Sequence, residues 1–247
     1  MTRVKTAAEM EAMRQSGRIL AQVLELLKAK TVAGITTAEL AQIAEDETKR
    51  LGGGTPTLGF ENYPAVICTS INDEVVHGIP GERVLETGDL CTFDFCVSYD
   101  GMITDAAITV PVGTVSKEAK RLLHATNDAL YQGIKVIRPG IYIEDISRAI
   151  ETRLRQDKLG IVEALCGHGV GHSIHEDPEI PNFTTGYLGI KLVPGLTLAI
   201  EPMATLGKKD VKLMPDHWTF KTRDGSLAAQ FEHTILVTAD GSEILTK

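Results

Sequence analysis

The 247-residue chain carries 33 acidic and 25 basic residues, which gives it a net charge of −8. This acidic balance disfavours nucleic acid or an anionic membrane as the main partner, because both require basic surfaces. Hydrophobic residues make up 43% of the chain and charged residues 23%, values typical of a soluble globular protein. The length suits one domain over residues 1–247 or two closely associated halves.

The cysteines and the N-terminus favour a cytoplasmic protein. Cys68, Cys91, Cys96 and Cys166 lie in apolar runs without a C-x-x-C pair, a pattern typical of reduced, buried thiols. The opening "MTRVKTAAEMEAMRQ" has neither the apolar core nor the cleavage site of a signal peptide. No stretch approaches the roughly 20 apolar residues of a membrane span.

Two helices are predicted at the start of the chain. Thr6 with Glu9, and Thr36 with Glu39, form capping boxes, and each precedes apolar residues at helical spacing. The run "LGGG" at 51–54 predicts the end of the second helix. A phosphate-binding role for this run is disfavoured, because no G-K-[ST] follows it.

Strands and helices then alternate in a pattern that occurs twice. Strand-like runs at 65–70, 90–99 and 103–112 are followed by helical patterns at 116–137 and 143–157. Further strand-like runs lie at 197–202 and 232–238. The order helix, helix, strands is therefore repeated.

The residues themselves indicate a duplication. "AGITTAELAQI" at 33–43 resembles "PGIYIEDISRA" at 139–149 at an offset of 106. At an offset of 107, Gly88 corresponds to Gly195 and Asp94 to Glu201. Two similar halves that face each other would place both carboxylates at a shared centre.

A hairpin predicts that two carboxylates lie together. The Asp-Gly pair at 100–101 is typical of a two-residue turn, and this register places Asp105 opposite Cys96. Asp94 lies two residues further along the same face, so Asp94 and Asp105 become diagonal neighbours about 7–8 Å apart. Solvated carboxylates on an exposed face are the alternative, which Cys96 on the same face disfavours.

Four carboxylates and one imidazole lie on or beside predicted strands. This set is too acidic for a structural zinc cage and suits Mn²⁺, Fe²⁺ or Co²⁺, with Zn²⁺ possible. Four carboxylates exceed the needs of one catalytic ion and suit two ions about 3.5–4 Å apart. The five candidate metal ligands are Asp94, Asp105, His168, Glu201 and Glu232.

Other catalytic patterns fit poorly. "HEDPE" at 175–179 is not H-E-x-x-H, because its last residue is Glu and Pro178 would disrupt a helix. "GHSIH" at 171–175 lacks the final glycine of a nucleophile elbow. "GHGVGH" at 167–172 lacks the last glycine and the strand-helix context of a dinucleotide-binding loop.

The sequence resembles the type I methionine aminopeptidases, metal-dependent peptidases with the pita-bread fold. The resemblance covers about residues 6–246 and depends on the motifs "SINDEVVHGIP", "DLCTFDF", "TDAAITV", "CGHGVGHSIHEDP", "LAIEPM" and "QFEHTILVT". It implies an α+β fold with two pseudo-symmetric helix-helix-strand halves, about 1–115 and 116–247, around a central antiparallel sheet. The assignment to type I depends on two expected absences: the internal insertion before Trp218 of type II enzymes, and a cysteine-rich or long basic N-terminal extension.

The resemblance also implies the roles of the site residues. Asp105 and Glu232 would bridge two divalent cations, Asp94 would complete one metal site, and His168 with Glu201 would complete the other. The chain would then remove the N-terminal methionine of nascent proteins whose second residue is small, by means of a metal-activated bridging water. We also expect a monomer that makes at most transient contact with ribosomes.

Two histidines and a pocket complete this assignment. His77 and His175 would contact the substrate and the tetrahedral intermediate, and Glu201 would carry the proton. Thr57 and Ile174 depart from the family pattern, which affects the shape of the pocket. The methionine pocket would be lined by Phe60, Tyr63, Cys68 and Trp218.

Three alternatives remain open at this stage. A proline-specific aminopeptidase would use the same five ligands, although such relatives usually carry an additional N-terminal domain. A non-enzymatic binding relative would lose ligands, and an inert metal store would not need His77 and His175. Taken singly, these histidines could be ordinary hydrogen-bonded residues, Tyr63 and Trp218 core aromatics, and Cys68 a packing residue.

Overall fold

Two pairs of helices alternate with groups of strands, in the order that the sequence predicts. The computed structural model describes residues 3–247. The helices are α1 (Ala7–Lys30), α2 (Thr37–Arg50), α3 (Lys117–Val136) and α4 (Ile143–Gln156). The strands before α3 are β1 (Cys68–Ile71), β2 (Glu74–Val76), β3 (Leu90–Tyr99) and β4 (Met102–Pro111). The strands after α4 are β5 (Gly160–Ile161), β6 (Cys166–Gly169), β7 (Glu176–Pro181), β8 (Thr197–Ile200), β9 (Met203–Thr205), β10 (Val211–Leu213), β11 (Phe220–Thr222), β12 (Ala228–Gln230), β13 (His233–Val237) and β14 (Ser242–Ile244).

The first two helices begin where their capping residues predict. Thr6 and Glu9 form a reciprocal capping box at the start of α1, as Thr36 and Glu39 do at the start of α2. Helix α2 ends at Arg50, directly before the glycine run. These helix boundaries are determined locally, which is why the sequence predicts them well.

The strands pair antiparallel throughout and confirm the α+β class. They form four sheets, with the orders β1-β3-β4, β10-β11-β2, β12-β9-β5 and β14-β13-β8-β6-β7. The strands around the centre of the fold thus belong to more than one sheet. The strands predicted at 197–202 and 232–238 are also shorter than expected, since β8 ends at Ile200 and β13 covers His233–Val237. Glu201 and Pro202 separate β8 from β9, since a proline cannot donate a ladder hydrogen bond. Glu232 lies in the gap between β12 and β13.

Backbone hydrogen bonds repeat at the offsets that the sequence indicates. In the first half, the Gly34 N–H donates to the Leu85 carbonyl at 2.8 Å. In the second half, the Gly140 N–H donates to the Leu192 carbonyl at 2.9 Å. Gly34 and Gly140 both adopt positive φ, at 98° and 95°, a conformation that favours glycine.

The same correspondence continues into the strands beside the site. The Gly88 N–H donates to Val112 O at 2.9 Å, and the Gly195 N–H donates to Val237 O at 2.8 Å. The first bond joins the residues that flank β3 and β4, and the second joins the residue that precedes β8 by two positions to the end of β13. The repeat therefore places Asp94 and Glu201 at corresponding points of two similar strand pairs.

The helices cover one side of the strands and leave the other side to the site. Phe93 and Phe95 are completely buried in the core beneath α1 and α2. Because side chains alternate along a strand, Asp94 between them points to the opposite face. Within residues 3–247, no helix combines the length and apolarity required to cross a membrane.

Candidate metal centre and active site

The β3–β4 hairpin brings the first two carboxylates together. Its register pairs Cys96 with Asp105 and Asp94 with Ala107, as the Asp-Gly turn predicts. Asp94 and Asp105 therefore lie on one face as diagonal neighbours. The predicted register is confirmed.

The second half supplies the remaining three candidate ligands. His168 lies on β6, Glu201 follows β8, and Glu232 precedes β13. Potential ligand atoms of Asp105, His168 and Glu232 all lie within 4.8 Å of one another. His168 Nε2 is 3.4 Å from Glu201 Oε1. Asp94 and these four residues all line one cavity. The structure thus brings all five residues to one place.

Two glycines allow the His168 strand to approach its neighbours. A Cβ on Gly167 would lie 2.4 Å from the carbonyl oxygen of Ala199, and one on Gly169 would lie 2.2 Å from that of Asp177. Both contacts are with backbone, which cannot move aside cheaply. The glycines of "CGHGVG" therefore serve strand packing around the imidazole.

Burial makes the carboxylate cluster unfavourable as a set of anions. Burial raises the pKa of Asp94, Glu201 and Glu232 well above their ordinary values, and the negative charges of neighbouring carboxylates raise it further. Burial also lowers the pKa of His168, which favours the neutral imidazole that binds metals.

Unsatisfied oxygens show that these residues fit cations. Asp105 and Glu232 are only 4% and 2% exposed. Their Oδ1 and Oε1 atoms, respectively, accept no hydrogen bond from residues 3–247. Buried carboxylate oxygens without donors are costly unless a cation is bound, so the donor set suits divalent metal ions.

Gln230 is a site residue that the sequence reasoning missed. This fully buried amide donates from Nε2 to Glu201 Oε2 at 3.1 Å, and it also stabilises the Asp94 carboxylate. Gln230 lies two residues before Glu232, so strand alternation would have placed it on the same face. A neutral amide is not among the residue types that indicate a metal site, so the ligand pattern alone does not point to it.

The cluster of candidate ligands lies in an open cavity of about 780 Å³. His77 and His175 line this cavity, and the His175 ring centroid is 4.5 Å from that of His168. His77 has a φ of 59°, which is uncommon for a residue with a side chain. Burial and the nearby His175 lower the pKa of His77 to about 4, so His77 is neutral at physiological pH.

Aromatic side chains form one wall of the cavity. The rings of Tyr63 and Trp218 pack edge to face with centroids 5.0 Å apart, and Phe60 lies 5.4 Å from His175. Cys68 pairs with Asp94 in the β1–β3 register and lines the same wall. Burial raises the pKa of the Cys68 thiol, which favours packing over nucleophilic chemistry. The two residues that depart from the family pattern, Thr57 and Ile174, also line this cavity.

The fold and the site together define a class of protein. Two similar halves enclose a buried carboxylate–imidazole cluster, which opens into a cavity large enough for a peptide end. This arrangement is typical of a metal-dependent hydrolase.

Comparison with known proteins agrees with this class and narrows it. The sequence model of metallopeptidase family M24 matches residues 11–239. The chain is 43% identical to methionine aminopeptidase 1 of Bacillus subtilis, over 98% of each protein. It matches the crystal structure of methionine aminopeptidase from Thermotoga maritima with a TM-score of 0.98, at 39% identity over the full length of both chains. The chain therefore belongs to metallopeptidase family M24 and, within it, to the methionine aminopeptidases.

A more distant likeness shows the fold alone. Prolidase from Pyrococcus furiosus matches with a TM-score of 0.79 at 22% identity, over 99% of this chain and 65% of the prolidase. The pita-bread fold expected from the sequence is thus confirmed.

Proposed function

We propose that the chain removes the N-terminal methionine from nascent proteins and peptides whose second residue is small. One observation carries this proposal: the carboxylate–imidazole cluster adjoins a wall of Phe60, Tyr63, Cys68 and Trp218 in a single cavity. A terminal side chain against that wall would bring its peptide bond to the cluster. Relatives that match over 98% of this chain are named methionine aminopeptidases.

The donor set supports two divalent cations. Asp105 and Glu232 would serve both ions, Asp94 would complete one site, and His168 with Glu201 would complete the other. Oxygen donors with a single imidazole favour Mn²⁺, Fe²⁺ or Co²⁺, with Zn²⁺ as a further candidate. When bound, such cations polarise a carbonyl group and lower the pKa of a coordinated water.

The protein's own groups then act on the substrate and its protons. His175, whose side chain is exposed to the cavity, donates a hydrogen bond to the carbonyl oxygen as negative charge develops there. His77, neutral at physiological pH, orients the peptide by a hydrogen bond. Glu201 accepts a proton from the attacking water and delivers it to the leaving amine.

The wall residues would recognise methionine by its shape and its sulfur. Thioethers make favourable contacts with aromatic rings, and the edge-to-face pair of Tyr63 and Trp218 presents such rings. The Tyr63 hydroxyl donates to the Gly78 carbonyl at 2.9 Å, which fixes the ring. A rigid pocket of this kind favours one side-chain length over others.

Partners, organisation and location are part of the same proposal. We infer one catalytic domain with halves at about 1–115 and 116–247, and the repeated backbone hydrogen bonds support this division. The substrates would be the N-termini of nascent chains. The protein would act as a monomer that makes at most transient contact with ribosomes. A cytoplasmic location is supported by the four cysteines, all of which are free thiols in the described residues.

The test compares peptides that begin Met-Ala, Met-Leu and Xaa-Pro. The metal-reconstituted protein is expected to release methionine from Met-Ala peptides, and little from Met-Leu peptides. Asp94→Asn is expected to abolish release, whereas Asp46→Asn, a matched change on α2 that leaves the site untouched, is expected to preserve it. Release from Xaa-Pro peptides alone would identify a proline-specific enzyme, and full activity of Asp94→Asn would overturn the metal assignment.

A further inference from the structure

The segment before α1 lies against the turn that carries His175. The Lys5 side chain is only 1% exposed, and its Nζ donates to Glu176 Oε2 at 2.6 Å. A Cβ on Gly171 would lie 2.4 Å from Lys5 Cε, so the lysine stem contacts the backbone of the turn. The Lys5 N–H also donates to Gly195 O at 2.8 Å, which anchors this segment beside β8.

Glu176 connects Lys5 to the turn through hydrogen bonds. Its Oε1 accepts the backbone N–H groups of His172 at 2.6 Å and Ser173 at 3.2 Å. One carboxylate thus holds the buried Lys5 ammonium with one oxygen and the start of the turn with the other. Residues 174 and 175 lie between these contacts, so His175 lies inside the loop that Glu176 closes.

The first turn of α1 makes a second contact with the same loop. His172 Nε2 lies 2.7 Å from Glu9 Oε1, while Glu9 Oε2 accepts the Thr6 N–H of the capping box. Lys5 and Glu9 therefore hold the two ends of the segment 172–176.

We propose that Lys5 is a positioning residue for His175, acting through Glu176, in the reaction proposed above. The His175 side chain is exposed to the cavity, where its ring packs edge to face against those of His168 and Phe60. The backbone that carries it sets where this ring points into the cavity, and Lys5 and Glu176 hold that backbone on the side away from the cavity.

The chemistry of the pair agrees with this role. Burial alone would raise the pKa of Glu176, but the Lys5 ammonium and the N–H groups of the turn lower it below its ordinary value. The carboxylate therefore stays charged and keeps its hydrogen bonds. A buried ion pair often adds little stability over apolar residues of similar volume. Simple packing of the N-terminal segment thus does not require Lys5 to be a cation.

Hydrogen exchange tests the loop without reference to catalysis. In the full, metal-reconstituted chain, Lys5→Met is expected to speed exchange of the 172–173 amides about tenfold. The reason is that Lys5 no longer holds Glu176, the acceptor of both amides, in place. Exchange in α3 should not change. Unchanged exchange in the loop, or faster exchange throughout the molecule, would overturn the proposal. This result does not depend on whether the chain releases methionine.

Kinetics tests the effect on His175. Lys5→Met is expected to lower kcat on a Met-Ala peptide about tenfold to a hundredfold, with KM within about threefold, because misplacement affects the transition state most. In a His175→Asn background, Lys5→Met is expected to cause no further loss. An equal loss in both backgrounds would show a structural role and overturn the proposal. Lys49→Met, which removes an exposed ion pair on α2, is the matched control.

A second variant keeps the test decisive if Lys5→Met does not fold. Glu176→Gln keeps the length of the side chain but removes the charge that pairs with Lys5 and that accepts the N–H groups of the turn. It is expected to speed exchange of the same amides about threefold and to lower kcat in the same direction. No effect of Glu176→Gln in either measurement would overturn the proposal.

Discussion

Asp105 and Gln230 occupy equivalent positions in the two halves of the chain. Thr234 Oγ1 accepts the Asp105 N–H at 2.9 Å and donates to the Asp105 carbonyl at 2.8 Å. Thr109 Oγ1 accepts the Gln230 N–H at 3.0 Å and donates to the Gln230 carbonyl at 2.7 Å. Between these two pairs, the Glu232 N–H donates to the Ala107 carbonyl at 2.8 Å, and the Ala107 N–H donates to the Glu232 carbonyl at 3.4 Å. The repeat thus places a candidate metal ligand in one half and a neutral amide in the other.

The first prediction concerns this amide. Gln230→Leu removes the donor that holds Glu201 Oε2 and leaves a side chain of similar size. We expect the affinity for Mn²⁺ or Co²⁺ to fall about tenfold to a hundredfold, because groups that orient metal ligands have effects of this size. Isothermal titration calorimetry on the metal-free protein measures this directly.

The control for Gln230→Leu is Gln132→Leu, on the exposed face of α3, where the amide donates to Asp128 Oδ1 at 3.2 Å. Its metal affinity should equal that of the wild type. If Gln230→Leu also bound metal as tightly as the wild type, the amide would have no role in orienting the ligands.

The second prediction follows from the raised pKa values of the carboxylates. Unfolded Asp and Glu titrate near 3.8 and 4.5, whereas burial and mutual repulsion raise the pKa of Asp94, Glu201 and Glu232 in the native state. Between the unfolded and native values, the metal-free native state binds more protons than the unfolded state. These groups therefore lower the free energy of unfolding as the pH rises.

Bound cations should reverse this loss, because metal binding displaces the protons. We expect the stabilisation by Mn²⁺ to increase steadily from about pH 5 to pH 8, as metal binding is linked to proton release. Thermal unfolding with and without metal, at each pH, measures this difference. Surface carboxylates with lowered pKa values, such as Asp224 at about 2, contribute equally to both forms and cancel. A difference independent of pH would show that the cluster binds no protons without metal.

Local features of the sequence predict part of this site well. The register of Asp94 and Asp105 follows from one Asp-Gly turn, because two-residue turns fix the pairing of every residue behind them. The capping boxes likewise fix where α1 and α2 begin. These features need only neighbouring residues, so no knowledge of the fold is required.

Contacts between distant segments could not be predicted in this way. Lys5 and Glu176 are far apart in the sequence, and neither residue belongs to a pattern that indicates a partner. Glu201 and Glu232 were expected within strands, yet both lie at gaps between strands. Their apolar neighbours continue the strand pattern on both sides, while the pairing partners change. The choice of pairing partner is decided by the three-dimensional arrangement of the halves.

The third prediction concerns the glycine before His168. Gly167→Ala would place a Cβ 2.4 Å from the backbone oxygen of Ala199, so β6 and β8 must separate. We expect a loss of about 3 kcal/mol in the free energy of unfolding, seen as a fall of about 6–12 °C in Tm. Metal affinity should fall as well, because His168 moves with its strand. Gly81→Ala is the matched control, since a Cβ there meets nothing within 4 Å and its Tm should be unchanged. A Gly167→Ala protein with the Tm and metal affinity of the wild type would show that β6 does not need glycine for its approach to β8.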